Sequence, residues 1–236
     1  VALRYRRLGQ DREDGWVSTE MKRQSVDPGA GSSLTSYQAM IPPGLRQGEV
    51  MAFYVCAGNA DGLRTYLPRQ GERKPALLVC DDRAVPSDLR SLRFVVDPED
   101  LERMEGWGMG SERYPRLSNQ YFNATFVSNE ETVYYGGELR RSGSPWTRNG
   151  GLGRGKWKLP KDREFRGHGK FSFDDDPERW TRHHNRMTRY LLYLLGHPVS
   201  ENEFVRVIIN GDRVMLREDV EPVDADFLDR NFAEGN

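Results

Sequence analysis

Short strand-like segments separated by turn residues dominate the first 86 residues of the chain. Residues 1–5 alternate roughly at period two, residues 25–36 are rich in Gly and Ser, and residues 37–41 are again strand-like. Several short strands at this spacing, without a helical pattern, favour a small β-sandwich of the immunoglobulin or fibronectin type. No polar constellation in this part looks catalytic, so we expect residues 1–86 to form a spacer or binding module.

The two cysteines leave two interpretations open. Cys56 and Cys80 each end a strand-like run, and a loop containing Gly and Pro lies between the runs. Neighbouring antiparallel strands would bring the two close enough for a disulfide. Two buried free thiols are the alternative, because free Cys is commonly buried.

Composition limits the class of protein. Hydrophobic residues make up 36 % and charged residues 30 % of the 236 residues, and the mean hydropathy is −0.77, which predicts a heavily solvated surface. No apolar run approaches the roughly 18 residues that a membrane span needs. The net charge of −1 gives no electrostatic argument for nucleic acid, so we expect neither a nucleic-acid partner nor a membrane span.

Length favours two domains, residues 1–86 and 87–236. Because the chain begins with Val and has no apolar leader segment, we expect a processed protein or a piece of a longer one.

Mixed helix and strand signals follow the first domain. Asp97-Pro98-Glu99 predicts the start of a short helix that runs to residue 104. Strand-like residues 123–127 and 132–135 flank a turn at residues 128–131, which predicts a β-hairpin.

The strongest helix signal begins at Asp176-Pro177 and ends at Gly196, a residue suited to the left-handed position after a C-terminus. Its apolar residues share one broad face, which predicts packing against a sheet. Asn210-Gly211 then predicts a tight hairpin turn, and Asp224 predicts the cap of a last short helix. The apolar face of the helix predicted for residues 176–196 comprises Trp180, Met187, Leu191, Leu194 and Leu195. His183, His184 and His197 lie on or beside this helix without the carboxylate or Cys spacing of a metal site, so we expect no metal ligands in the chain.

An ordered series of short motifs runs through residues 118–232. In chain order they are residues 133–144 (VYYGGELRRSGS), 155–159 (GKWKL), 165–167 (FRG), 194–196 (LLG), 210–211 (NG) and 221–228 (EPVDADFL). Their order and spacing resemble the nucleotide-binding front half of the CotH family of secreted, atypical protein-kinase-like proteins. Residues 41–62 are similar to the β-domain found ahead of some bacterial CotH modules.

The resemblance implies an α+β fold, in which a β-sandwich precedes a mixed α/β region like the small lobe of a kinase with one long helix. It also implies a phosphate cradle in the Gly-rich residues 142–155, where Arg148 and Arg154 would pair with an anion. Lys156 and Lys158 alternate with apolar residues, so both would project from one face of a strand, and either suits the phosphate lysine. Ordinary alternatives are a surface loop and solvated lysines.

Two acidic residues complete the nucleotide-binding set that the resemblance implies. Glu178 would orient the lysine, or would simply be a favourable acid in the first turn of a helix. Glu221 would meet the adenine edge or serve the structure. Asp224 and Asp226 suit helix capping better than metal binding. The family's catalytic and metal-binding carboxylates belong to a helical lobe that would follow Asn236, so we expect no catalytic residue here, and ATP with Mg²⁺ or Mn²⁺ to bind only when that lobe is present.

These inferences lead to two principal function hypotheses. In the first, the chain is part of a secreted CotH-type kinase that phosphorylates Ser or Thr on extracellular or coat proteins. In the second, it belongs to a non-catalytic envelope or surface protein with a degenerate CotH scaffold; Met215 and Arg217, where the family commonly has Gly and Tyr, motivate this alternative. Both place the protein outside the cell or in its envelope, with a protein substrate or an envelope protein as partner.

Two hydrolase classes rank lower. Residues 146–155 resemble a loop of ADP-ribose pyrophosphatases of the Nudix type, but no helix with paired glutamates follows to hold Mg²⁺. A Ser/His/Asp hydrolase would need a Gly-x-Ser-x-Gly elbow between a strand and a helix, and Gly143-Ser144 lacks that pattern.

Overall fold

The computed structural model describes residues 1–9, 15–24, 35–41, 44–81, 87–105, 118–144, 148, 152–175 and 183–232. Strands account for 45 % and helices for 16 % of it. The architecture is therefore mostly β, with a five-stranded sheet, a two-stranded ribbon and a closed barrel of seven strands.

The N-terminal part forms one antiparallel sheet. Its order is β2-β1-β5-β6, and β7 also pairs with β5. A separate ribbon joins β3 to β4. The strands are β1 (Ala2–Leu8), β2 (Val17–Glu20), β3 (Lys22–Gln24), β4 (Ser36–Gln38), β5 (Val50–Gly58), β6 (Arg64–Leu67) and β7 (Ala76–Val79).

The barrel follows in the chain. Its strand order is β10-β11-β12-β14-β13-β8-β9, and β9 closes the ring by pairing with β10. All neighbours are antiparallel except β8 and β13, which are parallel. The strands are β8 (Ser91–Val96), β9 (Phe122–Ser128), β10 (Thr132–Arg141), β11 (Gly155–Lys158), β12 (Lys170–Asp174), β13 (Asn202–Ile209) and β14 (Arg213–Val220), and the helices are α1 (Pro98–Glu105), α2 (His184–Leu194) and α3 (Ala225–Asn231).

Side chains fill the barrel interior. Period-two alternation points one set of residues from each strand inward, and a ring of this many strands encloses little more than the volume of those side chains. Trp157 lies at the centre, with Phe126 and Phe171 at ring-centroid distances of 4.2 and 5.1 Å. Met104 of α1 is fully buried in the same cluster. The barrel is therefore a packed core.

The N-terminal sheet packs against the outside of the barrel. Val95 of β8 is buried with Val50, Ala52 and Leu77 of that sheet. The Leu77 amide also donates to Thr125 Oγ1 at 2.8 Å across the contact. One face of the sheet is therefore covered by the barrel wall.

These observations correct the predicted fold class. The expected β-sandwich is a single sheet lying on a barrel, and the expected kinase-like lobe with a long helix is wrong. The described helices contain only 8, 11 and 7 residues. Residues 106–117 and 176–182, which include the predicted start of the long helix, lie outside the described residues. The strand signals were correct, but hydrogen bonding between distant segments joins them into a barrel.

Several predictions that concern only a few neighbouring residues are confirmed. The hairpin of β9 and β10 forms around a turn at residues 129–131, and α1 begins where Asp97 accepts a hydrogen bond from the Glu99 amide at 3.0 Å. Asn210 and Gly211 have φ values of 48° and 71° and form the tight turn between β13 and β14. Gly196 has a φ of 78° after α2. Asp224 occupies the N-cap position of α3, but its side chain makes no capping hydrogen bond, so only the predicted start of this helix is confirmed.

Cys56 and Cys80 do not form a disulfide. Strands β5 and β7 are antiparallel neighbours, but Val50 lies opposite Val79, so Cys56 and Cys80 lie toward opposite ends of the pair. At about 3.3 Å per residue this separates them by roughly 20 Å, and both thiols are free.

Candidate functional site

Cations line the outer face of the barrel where β10, β11 and β12 run side by side. Leu139 of β10 and Trp157 of β11 point into the core, so the pleat turns their neighbours outward. Lys156 and Lys158 therefore share the outer face, and Trp157 anchors the strand that carries them.

The first row across the three strands contains Arg140, Lys156 and Ser172 directly opposite one another. The Arg140 guanidinium donates to Asn119 Oδ1 at 2.6 Å, and Arg148 donates to the same oxygen at 2.8 Å. Burial and the neighbouring Arg140 together lower the pKa of Arg148 below its ordinary value. Lys156 is exposed and forms no ion pair with the described residues. Positive charge therefore converges on this row.

The second row contains Glu138, Lys158 and Lys170. The Glu138 carboxylate forms an ion pair with Lys158 Nζ at 2.5 Å and a second ion pair with Lys74. Burial alone would raise the pKa of Glu138, but the hydrogen bonds from both lysines outweigh it and hold the pKa below its ordinary value. Lys158 Nζ also lies 4.4 Å from the centroid of the Tyr121 ring. Lys170 is exposed and has no ion pair among the described residues.

We call this surface the cationic wall. Like charges directly opposite one another on neighbouring strands destabilise a sheet, and the wall contains two such pairs, Arg140 with Lys156 and Lys158 with Lys170. A bound anion would relieve both. The wall comprises Lys74, Arg140, Arg148, Lys156, Lys158 and Lys170, with Glu138 as the carboxylate among them.

Residues 145–147 and 149–151 of the predicted phosphate cradle lie outside the described residues. Arg148 is 5 % exposed, and it donates to the carbonyls of Gly143 at 2.7 Å and Ser118 at 2.9 Å. Arg154 lies beyond the first row, where it pairs with Asp174 at 2.7 Å and donates to the carbonyl of Asp175 at 2.8 Å. Arg148 is thus tied to Ser118, Asn119 and Gly143, and Arg154 is tied to the end of β12. The lysines carry the exposed charge.

The two predicted acidic residues lie elsewhere. Glu178 is outside the described residues. Glu221 is 2 % exposed and accepts from Arg230 at 2.5 and 2.7 Å and from the Glu201 amide at 2.9 Å. Burial would raise the pKa of Glu221, but the bonds from Arg230 outweigh it and lower that pKa. In this network Glu221 joins β14 to α3.

A second buried carboxylate, which the sequence did not reveal, lies beside this network. Asp219 is fully buried, its Oδ1 has no hydrogen-bond partner, and its Oδ2 is 3.5 Å from Arg166. Burial raises the pKa of Asp219 to about 7, against the opposing effect of Arg166. The group therefore titrates near neutral pH.

Sequence reasoning also missed part of the wall. Arg140 and Lys170 could have been found, because each alternates with a core residue, Leu139 or Phe171, in a strand-like run. Lys74 and Asn119 carry no such signal, since only the tertiary structure brings them to β10.

Comparisons of the sequence with models of protein families and with curated proteins found no match. The resemblance to the CotH family therefore stays a prediction. No helix in the described part of the chain has the length and apolar character needed to cross a membrane. Within the same residues, no three His, Cys, Asp or Glu side chains are grouped so that they could hold a metal ion.

Proposed function

We propose that this chain is a phosphate-binding module and that its ligand lies along the cationic wall. The observation that carries the proposal is that like charges lie directly opposite each other on neighbouring strands at two places on this face, Arg140 with Lys156 and Lys158 with Lys170. Such pairs cost stability in the free protein. A bound anion would offset this repulsion between like charges. Lysine is a common phosphate-binding residue.

The resemblance to CotH proteins extends this proposal to a particular ligand. It implies ATP, whose triphosphate would lie across β10 and β11 with Lys156 and Lys158 neutralising its charge. Bound ATP would supply the phosphoryl group for transfer to Ser or Thr of an extracellular or coat protein. We assign no residue of this chain to the transfer step, and no group of three or more His, Cys, Asp or Glu side chains among the described residues is placed to hold the Mg²⁺ or Mn²⁺ that accompanies the nucleotide.

A second candidate function follows from the shape of the wall. Its cations are spread across three strands on the outside of a filled barrel, which suits an extended anion better than an enclosed nucleotide. In this version the chain is a non-catalytic module of an envelope or surface protein, and the wall binds a phosphate-bearing polymer.

Calorimetric titration of the whole chain with ATP, tripolyphosphate and adenosine tests both versions. The double variant Lys156→Gln, Lys170→Gln removes the two exposed charges and keeps Glu138 paired. Lys161→Gln, another exposed lysine located in the turn before β12, is the matched control. We expect tripolyphosphate binding that weakens about tenfold or more in the double variant, remains in the control and declines as salt is added.

The three ligands separate the versions. Tighter binding of ATP than of tripolyphosphate, with competition by adenosine, supports the nucleotide version. Equal binding of both polyphosphates without adenosine competition supports the polymer version. Binding by neither, or binding that the double variant leaves unchanged, refutes the proposal.

A further inference from the structure

Helix α2 has its polarity reversed relative to an ordinary surface helix. None of its residues is buried. The two least exposed positions, Asn185 and Arg189, are polar, and Arg189 is tied to Glu218 of the barrel at 3.1 Å. The side that faces the barrel therefore has polar residues at its least exposed positions, and Leu192 on the same side remains 39 % exposed. This contradicts the prediction that the apolar face of this helix packs against a sheet.

An apolar stripe lies on the opposite side of α2. Met187, Tyr190, Leu191 and Leu194 follow the spacing i, i+3, i+4, i+7, which places them along one face of a helix. Their exposed fractions are 54, 56, 54 and 59 %. Stripes of this kind on a folded protein mark surfaces that bind another polypeptide or a membrane. We call these four residues the α2 stripe.

Isolated helices of this length are marginal in water, and tertiary packing normally stabilises them. Arg189 of α2 pairs with Glu218 of the barrel, and Phe204 lies 5.2 Å from the Arg186 guanidinium. The helix thus lacks the apolar packing that its sequence is built to make, and a partner would supply it.

A groove runs beside the stripe. Its volume is about 750 Å³, and it lies between Tyr190 and Tyr193 of α2 and the ion pair of Arg166 with Glu203 at 3.0 Å. A flat lipid surface would leave this groove unfilled, whereas side chains of a second polypeptide can enter it. The shape therefore favours a protein partner over a membrane.

Charge specifies that partner further. Residues 183–200 contain no Asp or Glu, and they contain Arg186, which is exposed and has no ion pair among the described residues. The two carboxylates that line the groove, Glu201 and Glu203, both pair with Arg166. A second copy of the chain would bring like charges together on the two helices. We propose that the α2 stripe binds an amphipathic helical segment of another protein, with apolar side chains against the stripe and carboxylates beside Arg186.

Selection from a displayed library of amphipathic helical peptides tests this proposal on the whole chain, with affinities then measured by fluorescence anisotropy. Leu191→Asn interrupts the stripe without emptying a core site, because Leu191 is already half exposed. Leu63→Asn replaces another leucine, 71 % exposed and far along the chain, as the control. Thermal unfolding of both variants should match that of the parent.

We expect selected peptides to carry apolar residues at helical spacing with flanking Asp or Glu, and to bind about tenfold or more weakly to Leu191→Asn while keeping their affinity for Leu63→Asn. Enrichment of basic or uncharged peptides overturns the acidic partner, and the absence of enriched peptides overturns the docking site. Self-association, or binding to anionic vesicles, that is lost in Leu191→Asn would assign the stripe to a second copy or to a membrane and would overturn the proposal.

Discussion

Raising the pH from about 5 to about 8 should destabilise this protein through Asp219. This carboxyl is fully buried, and its Oδ1 has no hydrogen-bond partner. Arg166 approaches its other oxygen only to 3.5 Å, and Glu203 opposes ionisation from the neighbouring strand. Burial dominates, so the pKa rises from 3.8 to about 7 in the folded state.

The sign follows from the protons bound in each state. Below the ordinary pKa the carboxyl is protonated whether the chain is folded or unfolded, and it contributes no pH dependence. Between the two pKa values the folded state keeps a proton that the unfolded state releases, so the free energy of unfolding falls as the pH rises. A rise of about 3 pKa units corresponds to about 4 kcal/mol. Somewhat more than half of this, about 2 to 3 kcal/mol, is lost between about pH 5 and about pH 8.

Urea denaturation of the parent and of Asp219→Asn at the two pH values measures the effect. The amide is neutral at both, so the stability of the variant relative to the parent should improve by about 2 to 3 kcal/mol at the higher pH. Glu138 and Glu221, whose pKa values are lowered, are present in both proteins, so their contributions to the pH dependence cancel. A difference that is constant with pH, or that shifts in favour of the parent, would refute the buried-carboxyl reasoning.

Three further outcomes concern the wall and the barrel. Lys156→Gln should stabilise the free protein by about 0.2 to 1 kcal/mol at low salt, because it removes the positive charge directly opposite Arg140. This gain should vanish at high salt, and a loss of stability would count against the wall as described. Gly155→Ala places a methyl group against the ring of Phe173, so it should lower the free energy of unfolding by about 1 to 3 kcal/mol. Gly169 has open space around it, so the control variant Gly169→Ala should unfold at nearly the same urea concentration as the parent. The Asn210 side chain accepts a hydrogen bond from the Val96 amide at 2.8 Å and donates one to the Val96 carbonyl at 3.0 Å. Glycine tolerates the positive φ at this position, but Asn210→Gly loses both bonds, so its free energy of unfolding in denaturation experiments should fall by about 1 to 3 kcal/mol.

Local features of this protein were accessible from the sequence. The Asn210-Gly211 turn, the start of α1 at Asp97 and the hairpin of β9 and β10 all depend on backbone preferences and hydrogen bonds within a few residues. The alternation of Lys156 and Lys158 with Trp157 likewise places both lysines on one face of a strand wherever that strand lies. Part of the candidate site was therefore predictable.

Only the tertiary structure decided which segments meet. The parallel pairing of β8 with β13 joins residues more than 100 positions apart, and it turns a series of predicted strands into a barrel rather than a kinase-like lobe. The same holds for Lys74 beside Glu138 and for Cys56 far from Cys80. Helical periodicity showed that α2 has an apolar face but not whether anything covers it. Periodicity reports the geometry of one element, whereas pairing and burial depend on the free energy of contacts between distant parts of the chain.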